Sequence, residues 1–223
     1  MLKREEITEA RIEKVIEEAR RFGKFDALTQ EEREENRKHF LGRLKPGEDL
    51  WLFGYGSLIW NAAFDFSEKK KARLYGYRRR FCLHLTIGRG SAEKPGLMLA
   101  LDLGGSCNGL AFRIEADKIE SETKVLWMRE MISGAYMPRW VSLKTEQGSI
   151  TGFTFIVNRG HSRYRNNLSL EETAAGLIRG KGQLGTCREY LFNTVQHLEN
   201  LGIRDGYLSR LQEAVLKQMG RSR

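Results

Sequence analysis

Cysteine and histidine are scarce in this chain, and the few present point away from cross-links and metals. Only Cys82, Cys107 and Cys187 stand in its 223 residues. They are widely spaced, form no C-x-x-C pair and are odd in number. They cannot make a complete set of disulfides, which suits a reducing compartment. The four histidines (His39, His84, His161, His197) show no H-x-H or H-x-x-x-H spacing, so no metal and no metal cofactor is expected. No run approaches the roughly 18–20 apolar residues that span a bilayer, and residues 1–6 lack the apolar core of a secretory signal. These absences predict a cytoplasmic chain without a membrane partner.

Charge, by contrast, is plentiful. Lysine and arginine number 38 against 29 acidic residues, a net +9, and the chain is 30% charged and 40% hydrophobic. That balance supplies a core and excludes a membrane protein or low-complexity polymer. The length fits one fairly large domain with an appended segment. Net positive charge suits anionic small substrates as well as nucleic acid. The densest basic stretch, Lys69-Lys70-Lys71, Arg73 and Arg78-Arg79-Arg80, holds Leu74, Tyr75, Tyr77 and Phe81 at strand-like spacing. Such a strand can stack bases, but an edge strand with a solvated face is commoner, so no nucleic-acid partner is expected.

Periodicity divides the chain at the Lys45-Pro46-Gly47 turn. Before it, residues 5–43 read as two amphipathic helices. Ile12, Val15, Ile16 and Ala19 form one stripe, Gly23 is placed to end the first helix, and Thr29 with Glu32 reads as a capping box opening the second. The expected organisation is a helical extension over 1–46 packed on a domain over 47–223. From Leu50, short aromatic and β-branched runs predict strands at 51–55, 73–85, 97–103, 107–114, 140–144 and 150–157. Hairpin turns are expected at Gly104-Gly105-Ser106 and Gln147-Gly148. Residues 119–131 have the apolar surface of a helix, with Asp117 and Glu120 as its capping box and Gly134 as its stop. Ser169 with Glu172, and Thr186 with Glu189, open two more helices around a glycine-rich loop at 180–185. Leu208, Leu211, Val215 and Met219 stripe a last one. The sum is an α+β protein, a mixed and mostly antiparallel small barrel or sheet with surrounding helices.

Two features carry chemistry. Gly54-Tyr55-Gly56-Ser57-Leu58 follows a strand directly. Its glycines let successive N–H groups turn inward around an anion, and Ser57 adds a hydroxyl. No G-K-[ST] follows and a third glycine is missing, so it is neither a P-loop nor a dinucleotide fingerprint; alone, such a motif is usually just a turn. Glu130 lies four residues after Leu126 and three after Trp127, on a face those two make apolar. A carboxylate there is desolvated and suited to acid–base work. The plainer alternative is a helix-end glutamate paired with Arg129. No G-x-S-x-G elbow is present, and the apolar surroundings of the cysteines argue against a thiol nucleophile.

The segments around these features, taken in order, carry a resemblance. Trp51-Leu52-Phe53-Gly54-Tyr55-Gly56-Ser57-Leu58-Ile59-Trp60 resembles the opening signature of the ChaC family of glutathione-specific γ-glutamylcyclotransferases. Gly76-Tyr77-Arg78-Arg79-Arg80-Phe81 is similar to the family's second strand, and Arg89-Gly90 with Pro95-Gly96 to the loop after it. Gly109-Leu110-Ala111-Phe112-Arg113-Ile114 resembles its G-x-A-[YF]-R strand. Arg129-Glu130-Met131-Ile132-Ser133-Gly134-Ala135-Tyr136 resembles its R-E-x-x-x-G-x-Y block, and Glu189-Tyr190-Leu191-Phe192 its late helix. The likeness runs over roughly residues 50–215 and is nearest to the bacterial members. Where animal members carry Trp-Gln-Gly, this chain has Cys82-Leu83-His84.

The resemblance implies a γ-glutamylcyclotransferase-like fold and the cleavage of glutathione to 5-oxoproline and cysteinylglycine, with no cofactor. Glu130 matches the family's catalytic glutamate, and Leu52, Phe53, Gly54, Tyr55, Gly56 and Ser57 match its substrate-binding loop. Arg113 and Tyr136 are further candidates, with packing or salt-bridge roles as the alternative for each. Two other readings stand beside this one. One is a cyclotransferase for other γ-glutamyl peptides or amines; the other is a non-catalytic regulator or nucleic-acid-binding protein that uses the basic surface.

Overall fold

The computed structural model describes residues 3–21 and 25–221. Five strands close a barrel: β1 (Leu50–Gly54), β2 (Glu68–Leu85), β3 (Gly96–Ile114), β4 (Tyr136–Thr145) and β5 (Gly148–Val157), in the order β1-β3-β2-β4-β5. The β2–β3 and β4–β5 hairpins are antiparallel, as is β1 on β3. The barrel shuts where β1 and β3 each meet β5 in parallel, at Leu52–Phe153 and Leu101–Ile156. Among the described residues six α-helices surround it: α1 (Glu9–Arg21), α2 (Gln30–Leu41), α3 (Ile119–Glu130), α4 (Leu170–Arg179), α5 (Cys187–Asn200) and α6 (Gly206–Arg221). The α+β expectation holds. The three capping boxes Thr29/Glu32, Ser169/Glu172 and Thr186/Glu189 all form.

Several local expectations give way. Residues 97–103 and 107–114 are one strand, not two. Gly104 and Gly105 have φ of 97° and 75° and lie opposite Gly76 at 84°, where the β2–β3 register slips between Tyr75 and Tyr77. The glycines thus bend a long hairpin through a bulge instead of reversing it. The basic strand β2 is not an edge, since it is flanked by β3 and β4. Asp117 sits in a 3-10 turn and caps nothing, and its supposed partner Glu120 turns to Arg37 instead. Helix α3 ends at Glu130, four residues ahead of Gly134. The glycine-rich loop at 180–185 makes a small hairpin of β6 (Lys181–Gly182) and β7 (Gly185–Thr186). The stop assigned to Gly23 lies outside the described residues.

Both faces of β1 are covered, which explains its unbroken apolar run. Leu50 and Leu52 join a cluster with Leu126 and Trp127 of α3, while Phe53 and Tyr55 join one with Leu177 of α4, Leu191 of α5 and Leu211 of α6. One buried cation ties the second cluster to the glycine loop. Arg79 of β2 donates to the carbonyls of Tyr55 (2.7 Å) and Asn108 (2.6 Å) and to the Asp205 carboxylate (2.9 Å). Asp205 in turn accepts from the amides of Tyr207 and Leu208 at the start of α6.

A second buried cation fastens the N-terminal helices. Arg37 of α2, 1% exposed, donates to both oxygens of Glu34, to both oxygens of Glu120 on α3 and to the Thr123 hydroxyl. Arg33 reaches Glu9 of α1 and the Leu28 carbonyl. Ile12, Ile16 and Ala19 of α1 pack with Phe25 against Ile87, Met128 and Ile132.

Hydrogen bonding to Arg37 holds the Glu120 carboxyl down at about 2, against an ordinary 4.5. That contribution is complete above 4.5 and is lost as pH falls from there to about 2. Arg37→Met is expected to destabilise the protein by about 1–3 kcal/mol, because the carboxylates it leaves are partly exposed and recover water. Thermal melts across this range should show the variant losing less stability on acidification than the parent.

Candidate active site

The turn after β1 brings the glycine loop against α3 and α5. Gly56 lies so close to Tyr190 of α5 that a Cβ there would stand 2.6 Å from the phenol oxygen. The Ser57 amide donates to that same oxygen at 3.1 Å. Glycine is therefore required by contact, and the phenol fixes the direction of the loop. Thr154 of β5 steadies the strand before it by donating to the Phe53 carbonyl.

Arg129 and Glu130, the last two residues of α3, close on this loop from the other side. Arg129 donates to the Ser57 hydroxyl (2.9 Å) and to the carbonyls of Asn61 (2.6 Å) and Ala62 (3.0 Å). Its Nε lies 3.0 Å from the Glu130 carboxylate. Both sequence readings of Glu130 thus meet in one residue: it is paired with its neighbour, and its side chain is only 17% exposed. Burial raises its carboxyl above the ordinary 4.5, and the Arg129 charge works against that rise. Its place at a helix C-terminus, where carbonyl dipoles point outward, is also unfavourable to negative charge.

The phenols of Tyr55, Tyr136 and Tyr190 lie within electrostatic reach of the carboxylate. Burial pushes all three phenols up, with the Glu130 charge adding to the effect at each, so they stay neutral. Tyr136 donates to the Leu99 carbonyl at 2.7 Å. The cluster therefore offers a proton acceptor, an arginine, a serine hydroxyl and loop amides inside an aromatic wall. A general base needs such a setting: a carboxylate short of water, near donors that can hold a charged substrate group.

The structure gathers most, not all, of the residues singled out in the sequence. Glu130, Tyr55, Gly56, Ser57 and Tyr136 share the site. Gly54 ends β1, where its Cβ position is filled by Phe112 at 2.8 Å. Leu52 and Phe53 are fully buried core residues, so only their backbone is available to the site. Arg113 is not brought there; it pairs with Asp49 and Glu68, each at 3.4 Å. Tyr190 and the full grip of Arg129 are additions of the structure. The signal for Tyr190 was a phenol on the buried stripe of α5, which must find a partner for its hydroxyl. Burial raises all three thiols, Cys82 to about 12 and Cys107 to about 11, so none is a thiolate. Among the described residues no cluster of three or more metal-binding side chains occurs, and no helix is long and apolar enough to cross a membrane.

The chain is similar to known proteins in both sequence and fold. The model of the ChaC-like protein family matches residues 50–218. The glutathione-specific γ-glutamylcyclotransferase of Escherichia coli (strain K12) is 41% identical over 169 residues, covering 75% of this chain and 73% of the relative. The glutathione-specific γ-glutamylcyclotransferase 1 of Danio rerio is 30% identical over 174 residues, covering 75% of this chain and 89% of the relative. A crystal structure of the glutathione-specific γ-glutamyl cyclotransferase from yeast superposes with a TM-score of 0.70 at 20% identity, over 76% of this chain and 96% of that one, which establishes the shared fold. The matched span holds the whole barrel together with α3, α4 and α5, and the chain belongs to the ChaC-like protein family.

Proposed function

We propose that the chain is a glutathione-specific γ-glutamylcyclotransferase, releasing 5-oxoproline and cysteinylglycine with Glu130 as its acid–base residue. The observation that carries this reading is the largely enclosed Glu130 carboxylate, paired with the Arg129 that grips the glycine loop, inside a span 41% identical to the Escherichia coli glutathione-specific enzyme.

The substrate supplies its own nucleophile. The α-amine of the γ-glutamyl unit attacks the γ-carbonyl carbon, forming the C–N bond of a five-membered lactam. The tetrahedral oxyanion collapses, the bond to the cysteinyl nitrogen breaks, and cysteinylglycine leaves as the free amine. The protein must hold the glutamyl unit folded on itself, which supplies up to roughly 7–11 kcal/mol of the barrier in ideal cases. It must also take a proton from the α-ammonium and return one to the departing nitrogen. Glu130 does both in turn, its proton affinity raised by burial and held in check by Arg129. The loop amides and the Ser57 hydroxyl face the γ-glutamyl carboxylate and the developing oxyanion. Leu52 and Phe53 act through the position of their backbone, and Tyr55, Tyr136 and Tyr190 exclude water.

Glu130→Gln is expected to cut 5-oxoproline release by about 10²- to 10⁴-fold. The same change should leave thermal stability equal or higher. A carboxyl whose affinity is raised by folding costs stability as pH climbs from the ordinary 4.5 through the raised value, and an amide removes that cost. Retained turnover, or a lower melting temperature, would count against the assignment.

In a profile of kcat/KM against pH, the acid limb should centre above 4.5. Arg129→Gln removes the charge that restrains Glu130, so that limb should move further up. Rates on glutathione, γ-glutamylalanine and γ-glutamyllysine read the substrate class directly; faster turnover of either of the latter two would displace glutathione from the assignment.

A further inference from the structure

Several enclosed arginines among the described residues have carboxylates: Arg33 has Glu9, Arg37 has Glu34 and Glu120, Arg79 has Asp205, Arg80 has Asp102, and Arg129 has Glu130. Arg163 departs from this pattern. It follows β5 and is only partly exposed. Its Nε donates to the His84 carbonyl at 2.7 Å and its Nη1 to the Ser133 hydroxyl at 3.0 Å. The guanidinium stands 6.0 Å from the Phe25 ring centroid. Nη2 donates to no described residue, and no carboxylate lies within ion-pair distance among them. A guanidinium carries five N–H donors in a planar fork that matches a carboxylate bidentately. Partly enclosed and without a counter-charge among the described residues, it gains more from an anionic ligand than a fully exposed arginine does.

Its anchor sets its distance from the reacting centre. Ser133 follows Glu130 by three residues, and three residues of chain reach about 10 Å at most. Ser133 is itself fixed, since His161 Nε2 lies 2.9 Å from its carbonyl while His161 Nδ1 accepts the Arg163 amide. The Tyr136 phenol lies within electrostatic reach of both Glu130 and Arg163. An extended tripeptide has this same length of about 10 Å. With the γ-glutamyl end at Glu130, Arg129 and Ser57, glutathione is long enough for its other carboxylate to meet Arg163. Arg89, at the opposite wall, is a poorer candidate. It donates to the Thr186 carbonyl, covers the Tyr190 ring at 5.6 Å and has the Glu189 charge beside it.

We propose that Arg163 receives the glycyl carboxylate of glutathione and so makes the site selective for the tripeptide; the assignment rests on the cyclotransferase reading of the Glu130 site. The test compares 5-oxoproline release from glutathione with release from its glycinamide, in which that one carboxylate is neutral. The unaltered protein is expected to favour glutathione by about 10- to 100-fold in kcat/KM, chiefly through KM, the scale of one charge-assisted pair. Arg163→Gln should lose that factor on glutathione and change little on the amide, and Arg163→Lys should recover part of it. Equal use of both substrates by the unaltered protein overturns the assignment, and this arm needs no variant to fold. A loss of the same size on both substrates in Arg163→Gln overturns it too. If the unaltered protein releases 5-oxoproline from neither substrate, the cyclotransferase reading falls and takes this inference with it.

Discussion

The buried guanidinium of Arg79 is the contact on which the arrangement of the site depends. It sits where three pieces of chain distant in sequence come together: the carbonyl of Tyr55 in the glycine loop, the carbonyl of Asn108 in β3, and Asp205 at the start of α6. A cation this enclosed is tolerable only if its donors are met. The carbonyls and carboxylate that meet them thereby fix the exit of β1 against the helical layer. The glycine loop of the proposed reaction hangs from that exit. Gly56 is pressed against Tyr190, and Ser57 is held between Tyr190 and Arg129.

At the centre of the site two demands oppose each other. Catalysis asks for a carboxylate with raised proton affinity, and folding disfavours a charge at the end of a helix inside an aromatic wall. The chain resolves this by placing an arginine immediately before the glutamate. Arg129 lies close enough to keep the charge tolerable and is committed enough to the loop that it does not neutralise the carboxylate outright. Its bonds to Ser57, Asn61 and Ala62 spread one cation over several acceptors. The three neutral phenols complete the enclosure without adding charge.

What could be read from the sequence was what is decided within a few residues. The capping boxes at Thr29, Ser169 and Thr186 are local pairs, and each forms. The burial of Glu130 followed from Leu126 and Trp127 one turn earlier. The reading failed where a distant partner decides. Asp117 with Glu120 had the spacing of a cap, but Glu120 is claimed by Arg37, 83 residues away. Gly104-Gly105 permits either a reversal or a bulge, and the choice is made by Gly76 on the neighbouring strand. Arg113 sits in a segment that resembles a family signature, yet its charge is spent on Asp49 and Glu68. Tyr190 had an apolar stripe to announce its burial, though nothing local said which amide its hydroxyl would meet.

The N-terminal helices precede the span shared with the family, yet Phe25 covers Arg163 and the Leu28 amide donates to the Ile132 carbonyl, two residues beyond Glu130. The two ends of the site therefore rest on different parts of the chain. The half that performs the chemistry is drawn from the common barrel, whereas the wall at the far end is partly the work of an appendage. Such a division lets the far wall be retuned at residues outside the matched span, while the reacting groups stay as they are.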